Sequence, residues 1–189
     1  MKAKKNILFF SLFQIAIGIC ASAVILSSCG NDKKKVEITK EQEKEIKKHL
    51  VEVNKINAEK ESAEIDAYAQ EKGWHMITTG TGLRYEILKN GKGENAKLGQ
   101  IAKVNYKIFL TDGTLCYSSD KDGAKEFKVG EDYVESGLHE GIQLMNTGCK
   151  ARFILPSHLA HGLTGDNDKI PPMSTVVYEV ELLSLHDPK

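Results

Sequence analysis

The 189-residue chain is poor in the residues that mark several common functions. It has four cysteines, four prolines and one tryptophan, and its 26 lysines and arginines are matched by 26 aspartates and glutamates. No Cys-x-x-Cys pair occurs, which removes the usual zinc-ribbon and dithiol redox arrangements. There is no P-loop, and Gly80-x-Gly82 precedes a strand pattern instead of opening a helix, so no phosphate cradle is expected. The balanced charge gives no electrostatic case for nucleic acid. His158-x-x-His161 lacks a Glu after the first histidine and any evident third ligand, so neither a metal nor another cofactor is expected. Ser118-Ser119 lies far from any plausible His and acid pair and reads as strand-edge turn chemistry, not as a nucleophile.

What is present begins at the N-terminus. Lys2, Lys4 and Lys5 precede a long apolar run from Ile7 to Leu26, and the first 28 residues contain no acid. That is the layout of a targeting segment. Leu26-Ser27-Ser28-Cys29 resembles a bacterial lipobox, which implies a lipoprotein signal peptide over 1–28, cut before Cys29, with Cys29 acylated as the first mature residue. Several acyl chains hold firmly, since each buried methylene adds roughly 0.8 kcal/mol. The competing reading is an uncleaved span, because about 20 apolar residues cross a bilayer. Ser11, Gln14 and Ser22 weaken it. The expected location is therefore the bacterial cell envelope, lipid-anchored at Cys29. Gly30, in place of Asp, favours the periplasmic side of the outer membrane by the rule for enteric lipoproteins. Cys20 leaves with the signal, so only Cys116 and Cys149 remain in an oxidising compartment, where a disulfide between them is left open.

Residues 29–38 read as a tether and 39–73 as a charged helical spacer. From 33 to 72 there is neither Gly nor Pro, and Thr39 with Gln42 forms a capping-box pattern that predicts a helix start near Thr39. Ile46, Leu50, Val53 and Ile56 recur at three and four residues, and Ile65, Tyr68 and Ala69 begin a second stripe after polar Glu59 to Ser62. One long helix or two fits this pattern. A solvated spacer is one reading, and a stripe that pairs with a partner helix, giving a homodimer or docking onto an envelope protein, is the other. Trp74 and Met76 are expected to cover the edge of the following domain.

That domain occupies 80–187. Leu83, Tyr85 and Ile87 alternate with Arg84, Glu86 and Leu88, and Ala102, Val104, Tyr106, Ile108 and Leu110 repeat the pattern, so both predict half-buried strands. Phe153 to Leu155 and Val176 to Leu183 add two more, and Leu138, Ile142 and Met145 mark a single short helix over 137–145. The fold class is α+β, a twisted antiparallel sheet wrapped around one short helix and preceded by the N-terminal helical segment.

Tyr106 to Thr114, Ser118-Ser119, Gly137-Leu138-His139-Glu140-Gly141, Met145, Gly148-x-Lys150, Leu159-Ala160-His161-Gly162, Ile170-Pro171-Pro172 and Val180 to Leu183 closely resemble the FKBP-type peptidyl-prolyl isomerases, from about Leu83 to Leu185. The lipoprotein layout is also similar to gliding-associated isomerases of Bacteroidota. The resemblance implies catalysis of Xaa-Pro bond rotation in exported proteins. That rotation meets a barrier of about 18–20 kcal/mol. It needs no nucleophile, only a cleft that removes water and holds the twisted amide more tightly than either planar isomer.

Carried over by position, the resemblance assigns Tyr106, Tyr117, Glu135, His161 and Tyr178 to the catalytic set and Cys116, Phe127, Val134, Leu138 and Ile170 to substrate binding. Cys116, Tyr117, Glu135, Leu138 and His161 stand where the family has Phe, Asp, Ile, Trp and Tyr, and Tyr178 replaces Phe. Glu135 is expected to donate its backbone N–H with its side chain turned to water, and Tyr117 to offer its phenol to a substrate carbonyl. The five departures motivate a second reading, in which the fold is kept as a binding or scaffold module of an envelope complex with little turnover.

Overall fold

The computed structural model describes residues 39–188. The readings of a signal peptide over 1–28, lipidation at Cys29 and a tether over 29–38 lie outside them. The described residues divide between Glu45 and Ile46 into two units. In the first, the capping box forms at the start of helix α1 (Lys40–Glu71): Gln42 N–H donates to Thr39 Oγ1 at 3.3 Å and Thr39 N–H to Gln42 Oε1 at 3.0 Å. The helical segment is one helix of 32 residues, not two. Among the described residues no helix is long and apolar enough to cross a membrane.

In the second unit the alternating segments become strands: β1 (Ile77–Thr78), β2 (Arg84–Lys89), β3 (Lys92–Asn95), β4 (Ile101–Leu110), β5 (Leu115–Ser118), β6 (Lys125–Lys128), β7 (Asn146–Thr147), β8 (Lys150–Leu155) and β9 (Val176–His186). The main sheet runs β1-β2-β8-β9-β4-β5, with β6 also paired to β4 and every pairing antiparallel; β3 and β7 form a separate ribbon. The α+β reading thus holds. Helix α3 (Ser136–Gln143) lies against the sheet, but it is not the domain's only helical piece. A helical turn, α2 (Ser119–Asp122), follows β5, with Ser118 accepting from Asp120 N–H at 3.2 Å and Ser119 Oγ from Tyr106 N–H at 3.1 Å. The serine pair is turn chemistry in the structure as well.

Leu138 and Ile142 of α3 and Met145 beyond it are fully enclosed with Val104, Phe153, Leu155 and Leu182. Each such side chain contributes roughly 1.5–3 kcal/mol by leaving water. The close seating of α3 requires its two glycines. A Cβ at Gly137 would lie 2.6 Å from Leu155 Cγ, and one at Gly141 2.7 Å from the Phe153 ring. Cys116 and Cys149 are both buried and free, so the bridge left open by the sequence is not formed.

The other face of the sheet departs from the expectation of a spacer. The C-terminal half of α1 packs there, with Ile65 and Ala69 buried on Ile154 and Val177, and with Tyr68, Trp74, Met76 and Phe109 around them. Trp74 covers this edge, edge-on to Tyr68 and with the Arg152 guanidinium 3.9 Å over its ring. Arg84, expected on a wet face, is only 3% exposed. Its guanidinium donates to Asp66 at 2.9 and 3.0 Å, to Ser62 Oγ at 2.6 Å and carbonyl at 3.1 Å, and to the Gly82 carbonyl at 2.8 Å. A second clamp is Glu61, whose carboxylate accepts from Ser157 N–H at 2.7 Å, Ser157 Oγ at 3.0 Å and Thr175 Oγ1 at 2.7 Å. Phe153, Ile154 and Leu155 of β8 and Val176, Val177 and Tyr178 of β9 are therefore buried on both faces, because helices cover the sheet there from either side.

Candidate active-site cleft

A cleft of about 240 Å³ opens between β4, β5, α3 and the segment from β8 to β9. It is somewhat smaller than ligand sites usually are, since those run from about 300 Å³ upward. A larger groove, about 1050 Å³, lies between α1 and the loops at Leu110–Asp112 and Leu163–Thr175. The polar groups at its end, Glu61, Ser157 and Thr175, are already committed to one another, so the smaller cleft carries the stronger chemical case.

Six of the ten residues named from the sequence converge on it: Tyr106 from β4, Tyr117 from β5, Glu135 and Leu138 at the start of α3, His161 and Tyr178. The other four stand behind them. Phe127 is buried, edge-on to His139 at 5.6 Å; Val134 packs partly buried on the core; Ile170 is buried; and Cys116 directs its thiol to the Lys169 and Thr114 carbonyls at 3.7 and 3.8 Å. Burial, with Asp166 and Asp112 nearby, pushes the Cys116 thiol up.

The structure adds Val104 and Ile108, which are core residues seen from the cleft, and two polar residues that the sequence reading missed, Lys125 and Asp166. Asp166 accepts the Tyr117 hydroxyl, together with Asp168 N–H at 2.9 Å and Ile170 N–H at 2.8 Å. Burial works against its charge, but the Tyr117 hydroxyl, those two N–H groups and the nearby His161 ring hold its pKa at about 2. The same hydrogen bond, followed by burial and by Asp168, pushes the Tyr117 phenol well up. Its one proton is thus donated within the protein and is not free for a substrate carbonyl, as had been expected. Lys169 covers this tyrosine, 4.4 Å from the ring centroid. The Asp166-Asn167-Asp168 spacing is an Asx-turn signal that could have been read from the sequence.

Glu135 overturns a second expectation. Its side chain is 9% exposed and faces the cleft, with Oε1 3.0 Å from His161 Nε2. The approach lacks hydrogen-bond alignment, and Glu135 Oε2 and His161 Nε2 are both buried without a bonded partner. Burial and then Glu135 raise the Tyr178 hydroxyl well above its ordinary range; Tyr106 is raised by burial, then by Asp122 and Glu135. The Glu135 carbonyl accepts from Leu138 and His139 as α3 begins, while its own N–H makes no hydrogen bond among the described residues. The arrangement offers an apolar floor at Leu138, two phenols, a free backbone donor and no activated nucleophile.

Residues 92–183 match the family model FKBP_C, FKBP-type peptidyl-prolyl cis-trans isomerase. The chain is similar to the FKBP-type peptidyl-prolyl cis-trans isomerase FkpA of Aeromonas hydrophila, 37% identical over 146 residues, covering 72% of this chain and 53% of that one. It is also 38% identical over 121 residues to FkpA of Escherichia coli K12, covering 64% of this chain and 43% of that one. The chain spans about half the length of the curated relatives it matches. Among solved structures, AtFKBP13 superposes with a TM-score of 0.57 at 28% identity, covering 59% of this chain and 99% of that one. The N-terminal domain of FKBP42 from Arabidopsis thaliana gives 0.56 at 21% identity, covering 60% and 93%, which supports the fold alone.

Proposed function

We propose, on the match of residues 92–183 to the FKBP-type peptidyl-prolyl cis-trans isomerase family model, that this protein rotates Xaa-Pro bonds during folding or assembly of exported proteins. The observation that carries this reading is the convergence of Tyr106, Leu138 and Tyr178 around the unpaired N–H of Glu135. A proline ring on the Leu138 floor leaves water, and the Glu135 N–H meets a carbonyl of the bound segment. The twisted amide has lost conjugation, so a cleft fitted to it lowers the barrier without proton transfer. We assign the chain to the bacterial envelope, lipid-anchored at Cys29 and facing the periplasm at the outer membrane, on the Leu26-Ser27-Ser28-Cys29 pattern. The exposed stripe of Ile46, Leu50, Val53 and Ile56 is where a second copy would pack.

The test is cis-to-trans isomerisation of short Xaa-Pro peptides by the purified chain, with Tyr106→Ala as the paired control. Turnover above the uncatalysed rate is expected, with a loss in the control of about tenfold, the order that tens of Å² of lost apolar contact would cost. A folded chain with no rate above background would overturn it. The replacement of aromatic floor and wall by Leu138 and Cys116 favours a second reading, a peptide-binding module with little turnover, for which binding without catalysis is the signature. For the anchor, Cys29→Ser should release the protein from membranes; persistent membrane association without acylation would refute it.

A further inference from the structure

The isomerase reading uses Glu135 only through its backbone N–H, and any residue but proline would supply that. Its side chain is nonetheless turned into the cleft and nine-tenths enclosed, with Oε1 facing His161 and Oε2 buried without a partner. A carboxylate enclosed this far is costly unless donors reach its oxygens. Tyr117 donates to Asp166, itself an anion held by the Asp168 and Ile170 N–H groups, and the buried Tyr178 hydroxyl lies against Glu135 without giving Oε2 a bonded partner. Lys125, on β6, is the ammonium among the lining residues, but it is exposed to water, where its charge is screened. Glu135 and Leu138 are three residues apart at the start of α3 and line the same cleft. In so small a space, a side chain beside a proline on the Leu138 floor lies within reach of the carboxylate.

We propose that Glu135 makes this cleft select a lysine or arginine side chain adjacent to the bound proline. The inference rests on the isomerase reading for the seat of the proline, and the cation supplies the donor that Oε2 lacks. In the low dielectric of the cleft a charge pair acts far more strongly than at the surface.

The test uses the full-length chain in detergent micelles and proline peptides matched except for one neighbour, lysine, norleucine or glutamate, placed before or after the proline. Norleucine keeps the lysine stem and removes the charge. Both Kd, by peptide titration, and kcat/KM are measured, for the parent and for Glu135→Gln and Glu135→Leu. The expected result is a lysine-over-norleucine preference of about tenfold at one of the two positions, with glutamate disfavoured there, and a ratio falling to near one in either variant. A parent ratio near one, a preference that survives both substitutions, or no measurable binding of any peptide would overturn the proposal. Absence of turnover with all peptides would count against the isomerase reading alone, since the affinity ratio still decides this one.

Discussion

The two halves of α1 invert what their sequences promise. The N-terminal half has the more regular apolar stripe, yet Ile46, Leu50 and Ile56 are each about half exposed, at 48, 55 and 55%. The C-terminal half offers Ile65 and Ala69 in a run of polar residues, and those two are buried. Polar complementarity separates the halves. Glu61, Ser62 and Asp66 each find a fixed partner on the domain, in Ser157, Thr175 and Arg84, and these bonds register the helix so that a small apolar cluster closes beneath it. An amphipathic stripe makes a surface available for packing; matched donors and acceptors determine which stripe is used.

The strongest way to break the comparison is Ile65→Ala. This side chain is 2% exposed between Ile154, Val177 and their neighbours, so its truncation leaves a cavity. A loss of about 3 kcal/mol is expected in urea unfolding, within the usual range for buried Ile→Ala. A loss below about 0.5 kcal/mol would mean that the helix is not docked in solution. Next comes Arg84→Met, which keeps the stem and removes the guanidinium that ties Asp66, Ser62 and Gly82 together. Asp66 is 61% exposed and regains water, so the expected cost is held to about 2 kcal/mol. Amide exchange along residues 61–71 should quicken while exchange in β4 stays slow; equal quickening in both would show that helix and sheet unfold as one unit.

These two residues mark the limits of what the sequence reveals. Alternation in β4 and the i, i+4 spacing in α3 were legible because each element buries one face against a single core. Arg84 was not, because its strand is covered on both sides, and period-2 alternation assigns one face to water. Glu61 looked like one more surface charge in a run of them. In the cleft, the six converging residues followed from the family resemblance, while Asp166 and Lys125 did not, since both depend on how a loop or an edge strand folds back. The direction of the Glu135 side chain is a tertiary outcome for the same reason: at the N-terminus of α3 it turns toward His161, which arrives from a different loop.

Glu61→Gln sharpens the comparison further. The amide retains one acceptor but loses the charge that takes three donors at once, so a loss of about 1 kcal/mol is expected. Its partners flank the cleft, because Ser157 opens the loop that reaches His161 and Thr175 directly precedes β9, which carries Tyr178. Peptide affinity should therefore weaken in this variant and not in a helix-surface control such as Glu64→Gln. Identical affinities in the two would separate the helix from the cleft.

The smallest effect is expected at Leu50→Ser. The residue is 55% exposed, so the substitution should change monomer stability by less than about 0.5 kcal/mol. Its value lies in what else it reports. If the stripe of Ile46, Leu50, Val53 and Ile56 packs against a second copy, Leu50 becomes a buried position of a helix pair, and the same change should lower the sedimentation-derived mass toward that of one chain and make the parent's thermal midpoint, but not the variant's, rise with concentration. If parent and variant sediment alike as monomers, the stripe has no self-partner. The N-terminal half of α1 would then be a charged arm whose apolar residues are tolerated in water, and the polar clamps and the cluster of Ile65 and Ala69 farther along the helix would carry its entire attachment to the domain.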